Sequence, residues 1–135
     1  MYILKLQHSF SAAHKLTHAY SKECNDNIHG HNFKVLIRIQ THELVNGMVV
    51  DFKKIKEIIN QLDHKNLNDI LKFEPTAENI AKFLYDEILK LFPEDIKNPN
   101  YHSINVTIWE SDNASITYLE RTTIVGSLKE EARCL

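Results

Sequence analysis

The chain has 135 residues, 43% of them hydrophobic and 25% charged, and its formal net charge is -2. These values predict one globular domain over residues 1–135. They do not favour a partner such as nucleic acid or anionic lipid, and no apolar run approaches the ~20 residues that span a bilayer. Cys24 and Cys134 are the only cysteines, so we expect a reduced, cytoplasmic protein without a disulfide framework.

Two strands are predicted in the first third of the chain. Apolar residues alternate with polar ones from Tyr2 to His14, and His14 lies at the far end of the apolar face. A second alternating run covers residues 33–40. His29 and His31 have the parity of its apolar positions, so they extend that face at its N-terminal end.

Two helices and two further strands follow. Asp51 is a predicted N-cap for a helix over residues 52–62, and a polar loop follows that helix. A second helix is predicted to start near Pro75 and Thr76. The last two strands are predicted over Ile104–Glu110 and Ser115–Arg121. This order of elements, β-β-α-α-β-β, predicts an α+β domain with an antiparallel sheet covered by helices on one face.

Three histidines are predicted to converge at one end of this sheet. His29 and His31, two residues apart on one strand, point to the same side, and His14 ends the neighbouring strand. Three neutral imidazoles are the ligand set of a catalytic zinc site, because they leave the fourth tetrahedral position open. Four other histidines lack such convergence and are interpreted as surface or packing residues: His8, His18, His42 and His102.

Cys24 lies in the segment between the first histidine and the other two. Its neighbours Glu23, Asn25 and Asp26 are polar, which argues against a position in the core. Two interpretations remain open from the residues alone. Cys24 is either a fourth ligand that closes a structural Cys-His₃ metal site, or a reactive thiolate beside an open catalytic one.

Asp63, His64 and Glu110 are further candidates. His64 near a helix C-terminus is consistent with a simple favourable placement of charge, or with a proton-transferring residue that Asp63 orients. Glu110 ends an otherwise apolar strand face, where it is either a solvated carboxylate or a group that accepts hydrogen bonds from an amidine-like ring edge.

At these residues the chain resembles the 6-pyruvoyl-tetrahydropterin synthase superfamily, in order and over about residues 3–121. The matching motifs are Phe10-Ser11-Ala12-Ala13-His14-Lys15-Leu16, Cys24, His29-Gly30-His31-Asn32-Phe33, Val50-Asp51-Phe52, Leu62-Asp63-His64 with Leu67-Asn68, Pro75-Thr76-Ala77-Glu78-Asn79-Ile80-Ala81 and Trp109-Glu110-Ser111. The resemblance implies the tunnelling fold, in which a four-stranded antiparallel sheet carries two helices on one side. It also implies that three subunits close a barrel, that two trimers commonly stack into a hexamer, and that active sites lie between subunits.

The resemblance also implies the site residues and the substrate, 7,8-dihydroneopterin triphosphate. It implies that Zn²⁺ is bound by His14, His29 and His31, and that Cys24 is the proton acceptor. Asp63 and His64 would form a proton relay beside the cysteine. Glu110 would anchor the pterin ring and belong to the relay, and Thr76 and Glu78 would be further substrate-binding residues. No nucleic acid or membrane partner is implied. Lys15, Lys22 and Lys34 are open candidates for binding the triphosphate.

Two branches of the family fit this sequence. The 6-carboxy-5,6,7,8-tetrahydropterin synthases release acetaldehyde and triphosphate on the route to queuosine and related 7-deazaguanines, whereas the 6-pyruvoyl synthases eliminate triphosphate and rearrange the side chain. The nine residues between His14 and Cys24 favour the carboxy branch, which usually lacks the longer insert of the other. Four residues separate Cys24 from His29, which is between the spacings of the two branches. A further branch with a glutamate base could use Glu23, and aldolase activity on dihydroneopterin is also compatible with the fold.

Overall fold

The computed structural model describes residues 1–16, 28–97 and 102–120. Its elements are, in chain order, β1 (Tyr2–His14), β2 (His29–Thr41), α1 (Phe52–Asn60), β3 (Lys65–Asn66), α2 (Leu67–Ile70), α3 (Ala77–Leu89), a 3₁₀ turn (Glu94–Ile96), β4 (His102–Ser111) and β5 (Ala114–Leu119). Cys24 and the end of the last predicted strand at Arg121 lie outside the described residues. Within the described ranges, no helix has the length and apolar character needed to cross a membrane.

The sheet has five strands in the order β3-β1-β2-β4-β5. β1 and β2 pair antiparallel along their full length, from Tyr2 opposite Thr41 to His14 opposite His29. The sequence predicted four antiparallel strands, and those four are present. The fifth, β3, runs parallel to β1, so the expectation of a purely antiparallel, four-stranded sheet is wrong.

The added strand arises from contacts between β1 and the segment that precedes β3. The Ser11 N–H donates to Asp63 Oδ1 at 2.8 Å, and the His64 N–H donates to the Ser11 carbonyl at 2.6 Å. These two bonds hold the chain alongside β1, so Lys65 and Asn66 pair with the next two residues of that strand. The short helix α2 then begins at Leu67, with the Asn66 side chain accepting from the Asn68 N–H.

The core lies between one face of the sheet and the helices α1 and α3. The alternating apolar residues of β1, β2 and β4 share this face and form one cluster with the buried residues of both helices. The starts of α1 and α3 match the predictions, whereas α2 lies in the segment predicted to be a polar loop, so the expectation of two helices is wrong. Asp51 accepts from the Lys53 N–H at 2.9 Å, and Thr76 Oγ1 accepts from the Asn79 N–H at 3.1 Å. α1 ends at Asn60, slightly before the predicted end.

Candidate metal centre and active site

His14, His29 and His31 come together where β1 and β2 end side by side. The direct pairing of His14 with His29 puts these two residues across from each other, and His31 is two positions further along the same face. One ring nitrogen of each histidine lies within 4.8 Å of those of the other two, and the ring centroids are 4.6 to 5.0 Å apart. His14 is buried and the other two are half-buried. Three neutral imidazoles so placed can hold a divalent metal ion such as Zn²⁺.

The surroundings of the histidines fit metal binding. The His14 Nδ1 lies 2.7 Å from the Pro75 carbonyl, which can only accept, so Nδ1 carries the proton and Nε2 has a free lone pair. Burial lowers the pKa of His31 below its usual 6.5, although the nearby Glu110 carboxylate opposes this effect, and the adjacent His14 and His29 lower it further. Since a metal ligand must be the neutral imidazole, the lowered pKa favours metal binding at neutral pH.

An acidic cavity adjoins this centre. Glu78, Glu110 and Thr76 line a cavity of about 250 Å³ together with apolar residues of β4 and β5. His31 also makes a hydrogen bond to the Glu110 backbone, which joins the metal centre to this cavity. The structure therefore brings together the three residues expected to bind substrate. A β-bulge between Trp109 and Ser111 shifts the strand register at Glu110, which the alternation of the sequence did not indicate.

Thr76 and Glu78 also have structural roles. Thr76 caps α3, and Glu78 lies in the first turn of that helix, where a negative charge is favourable. Both residues can cap or charge the helix and still line the acidic cavity, because the cap uses the Thr76 hydroxyl oxygen only as an acceptor.

His64 lines a second cavity, and Asp63 precedes it in the chain. The His64 Nε2 lies 3.5 Å from Asp63 Oδ2, while the other carboxylate oxygen accepts from Ser11. Asp63 is thus held by β1, and its second carboxylate oxygen lies near the imidazole at the distance of an ion pair. His64 has a φ of 57° and its side chain is 83% exposed. A left-handed conformation at a non-glycine residue costs free energy and is more frequent at functional positions than elsewhere.

The second cavity also contains residues that the sequence did not single out. Its volume is about 490 Å³, and its lining comprises Ser11, Ala12, Ala13, Gly30, His31, Asn32, His64, Lys65 and Asn66. The spacing of Asn32 and Lys65 in the sequence does not predict that they line a cavity, because each residue joins the cavity only through strand pairing. The available clues are the adjacency of these two residues to His31 and His64 in the chain and the presence of Asn32 in the motif His29-Gly30-His31-Asn32-Phe33.

Two of the three lysines proposed for the triphosphate are described, and neither lines either cavity. Lys34 Nζ lies 5.8 Å from the centre of the Trp109 ring, on β2. Lys15 follows β1, and its backbone N–H donates to Asn68. Lys22 and Cys24 lie outside the described residues.

Comparison with known proteins agrees with this geometry. Residues 3–121 match the family described as 6-pyruvoyl tetrahydropterin synthase. The dihydroneopterin monophosphate aldolase of Pyrococcus furiosus is 31% identical over 84% of this chain and 96% of its own length. The 6-carboxy-5,6,7,8-tetrahydropterin synthase of a Synechocystis species is 36% identical over 78% of this chain and 85% of its own.

A solved structure has the same fold and a related sequence. The 6-pyruvoyl tetrahydropterin synthase of Caenorhabditis elegans superposes with a TM-score of 0.63 at 29% identity, and the match covers 90% of this chain and 98% of that one. These similar proteins have three different named activities, so the match identifies a family rather than a reaction. The chain belongs to the 6-pyruvoyl tetrahydropterin synthase family.

Proposed function

We propose that this chain is a zinc-dependent 6-carboxy-5,6,7,8-tetrahydropterin synthase. It would convert 7,8-dihydroneopterin triphosphate to 6-carboxytetrahydropterin with release of acetaldehyde and triphosphate, as a cytoplasmic lyase in queuosine and 7-deazaguanine biosynthesis. The observation that carries the proposal is the three-histidine centre joined through His31 to a cavity with two carboxylates. The Synechocystis relative supports the choice of branch.

The metal centre and the acidic cavity have complementary roles in this proposal. His14, His29 and His31 would hold the ion, which when bound supplies Lewis-acid polarisation of substrate oxygens. Glu110 would accept hydrogen bonds from the amidine-like edge of the pterin ring, with Thr76 and Glu78 beside it. A ring held there would present its side chain toward His31, and this orientation lowers the entropic cost of reaction.

Proton transfer would be carried out by the cysteine and the relay. Cys24, as thiolate, would accept a proton from the substrate side chain. His64, oriented by Asp63 Oδ2 at 3.5 Å, would return a proton to another position, and Glu110 is counted with this relay. These roles come from the family resemblance, and the contact between Asp63 and His64 supports them.

We further propose that the active site is completed by a second subunit in a trimer or a stacked hexamer. The His64 side chain is 83% exposed, and excluding bulk water from an active site prevents side reactions and proton leakage. Among the described strands, β5 lies at one edge of the sheet, and β1 is paired on its outer side at Ala12 and Ala13 by β3. In this part of the chain both edges have backbone N–H and C=O groups with which a strand of another copy could pair. Covering them would close a barrel, as the family resemblance implies.

Two other reactions have specific support. The C. elegans structure favours elimination of triphosphate to a 6-pyruvoyl product, and the P. furiosus relative favours an aldol cleavage of a dihydroneopterin phosphate. A different class, a non-catalytic module stabilised by a closed Cys-His₃ zinc site, would leave the conjunction of Asp63, His64 and Glu110 without a shared role.

One incubation distinguishes these reactions. The zinc-loaded protein is supplied with 7,8-dihydroneopterin triphosphate, and the products are separated and identified by mass. We expect acetaldehyde, triphosphate and 6-carboxytetrahydropterin in equal amounts. A 6-pyruvoyl product without acetaldehyde would indicate the pyruvoyl branch, a phosphorylated two-carbon aldehyde would indicate the aldolase, and an unchanged substrate would contradict all three. The His29→Ala variant serves as the metal-deficient control.

A further inference from the structure

The two cavities beside His31 differ in the charge of their linings. Among the lining residues within 1–16, 28–97 and 102–120, the cavity of about 250 Å³ contains two carboxylates, Glu78 and Glu110, and no lysine or arginine. The cavity of about 490 Å³ has no acidic residue among the nine described residues that line it, and the ionisable groups among these nine are His31, His64 and Lys65. The nearest acid in the sequence, Asp63, is already engaged by the Ser11 N–H and the His64 ring.

Lys65 is an available cation in this second cavity. It is exposed on the two-residue strand β3, opposite Ala12. Within residues 1–16, 28–97 and 102–120, no carboxylate forms an ion pair with its ammonium group; the ion pairs made by lysines there involve Lys82, Lys90 and Lys97. A cation without an internal partner attracts an anionic ligand more strongly than one that is already paired.

Asn32 supplies oriented hydrogen-bond donors to the same cavity. It lies directly opposite Ser11 in the pairing of β1 with β2, and the Ser11 hydroxyl donates to Asn32 Oδ1 at 2.6 Å. Because this bond uses the amide oxygen, the two N–H groups of the Asn32 amide remain available to a ligand. The contact also fixes the amide orientation, so less entropy is lost when an anion binds.

We infer that the cavity lined by Lys65, Asn32 and His64 binds the polyphosphate chain of the substrate, an inference that rests on the proposed function. Phosphate oxygens are strong acceptors that are bound by ammonium groups and N–H donors together. The acidic cavity suits the donor edge of the ring, so the two halves of a pterin polyphosphate match the two linings. Because His31 lines one cavity and bonds to the Glu110 backbone in the other, the reacting side chain would lie between them. Lys65 replaces Lys15 and Lys34 as the described lysine best placed for this role.

Direct binding of inorganic triphosphate tests this assignment without turnover. Isothermal titration of sodium triphosphate into the zinc-loaded protein should show binding that weakens as salt is added. Lys65→Gln should weaken it about tenfold, the effect of losing one charge-assisted contact, and Lys65→Arg should restore most of it. Lys5→Gln is the matched control, because Lys5 is exposed on β1 and lies outside both cavities. Its affinity should equal that of the parent protein.

Two further variants separate an anion site in this cavity from chelation of the bound zinc by triphosphate. Asn32→Asp keeps the acceptor for Ser11 but replaces the donors with a negative charge, so triphosphate binding should be lost while thermal unfolding is unchanged. His29→Ala, which removes a proposed metal ligand, should retain the binding, because Lys65 and Asn32 are still in place. Loss of binding in His29→Ala together with full binding in Lys65→Gln would overturn the inference, as would equal affinity in Lys65→Gln and Lys5→Gln.

The substrate assay separates this inference from the proposed function. If the parent protein binds triphosphate through Lys65 but converts no dihydroneopterin triphosphate, the proposed reaction fails and the anion site stands. If conversion occurs and the KM of Lys65→Gln equals that of the parent, the reaction stands and the anion site is contradicted. With both correct, Lys65→Gln should raise KM about tenfold for the triphosphate substrate and leave the Kd of unphosphorylated dihydroneopterin, which lacks the triphosphate leaving group, unchanged.

Discussion

The two ends of β2 both involve buried histidines, yet they differ in what those histidines can do. At the N-terminal end, His14, His29 and His31 direct ring nitrogens at one another. At the C-terminal end, Thr41 pairs with His102, which is 7% exposed and stacks on the Phe92 ring at 5.0 Å and 11°. His102 packs in the interior, which is one of the two roles, surface or packing, that the sequence predicted for it. Burial of a histidine therefore does not indicate a ligand, whereas convergence of several does.

His8 and His42 support the same distinction, and His18 lies outside the described residues. His8 is half-buried, and its Nε2 lies 2.9 Å from Asn60 Oδ1, while His42 is exposed. Within the part of the chain that the structure describes, His14, His29 and His31 are the only group of three or more potential ligands close enough to share an ion.

Removing one histidine at each end should give the largest contrast. In His29→Ala we expect almost complete loss of bound zinc and of turnover, because two imidazoles hold zinc poorly. In His102→Ala we expect full zinc content and retained turnover at temperatures where the variant is folded. Zinc is measured by mass spectrometry after dialysis, with circular dichroism to verify folding. Equal zinc content in the two variants would contradict the assignment of the metal centre.

Cys24→Ala tests whether the three-histidine centre is an open catalytic metal site or a closed Cys-His₃ site. If Cys24 is the proton acceptor, the variant should keep its zinc and its oligomeric state and lose roughly 10²–10⁴-fold in kcat. Cys134→Ala, which removes the only other cysteine, is the control and should behave as the parent protein. Loss of zinc in Cys24→Ala alone would show that the cysteine is a fourth ligand, and the catalytic interpretation of the centre would be wrong.

Glu110→Ala should affect substrate binding more than metal binding. Losing a charge-assisted acceptor for the ring should raise KM about tenfold or more, and the zinc content should be unchanged. Steady-state kinetics and metal analysis of the same preparation measure both. If KM is unaltered and only the free energy of unfolding falls, Glu110 is structural.

His102→Ala should lower the free energy of unfolding by about 1–3 kcal/mol, because the stacking on Phe92 and the packing of a buried ring are lost. His42→Ala is the matched control at an exposed position, and its change should remain within about 0.5 kcal/mol. Urea unfolding of both variants measures the difference. If the free energy of unfolding changes by a similarly small amount in both variants, burial of His102 contributes little to stability.

The smallest effect concerns the acid stability of the metal-free protein. The pKa of His31 is lowered below 6.5 in the folded chain, chiefly by burial, so the unfolded chain binds this proton more readily. The free energy of unfolding should therefore decrease as the pH falls through about 6.5 and below. His31→Asn should reduce that decrease, whereas His42→Asn should not. Urea unfolding in chelator at pH 7.5 and pH 5.5 measures it, and equal pH dependence in His31→Asn and the parent would contradict the assignment.

Much of the fold and the metal centre could be predicted because both depend on short-range patterns. Alternation over β1 and β2 determines which side chains share the core face. A shift of the strand register by one residue would turn all of these side chains to the opposite face. The same alternation placed His29 and His31 together, and the end of β1 placed His14 next to them. The caps Asp51 and Thr76 were predictable because a cap bonds to a backbone N–H two or three residues away.

The remaining features depend on contacts between distant residues. β3 exists because the Asp63 carboxylate bonds to Ser11, 52 residues away, and no periodicity records that contact. The bulge at Glu110 and the bond from His14 to the Pro75 carbonyl are likewise products of packing. By itself the sequence determined the four antiparallel strands, the starts of α1 and α3 and the identity of three converging histidines. Only the tertiary structure decided that this centre lies between an acidic and a basic cavity, because charge becomes a property of a site only when folding brings separate elements together.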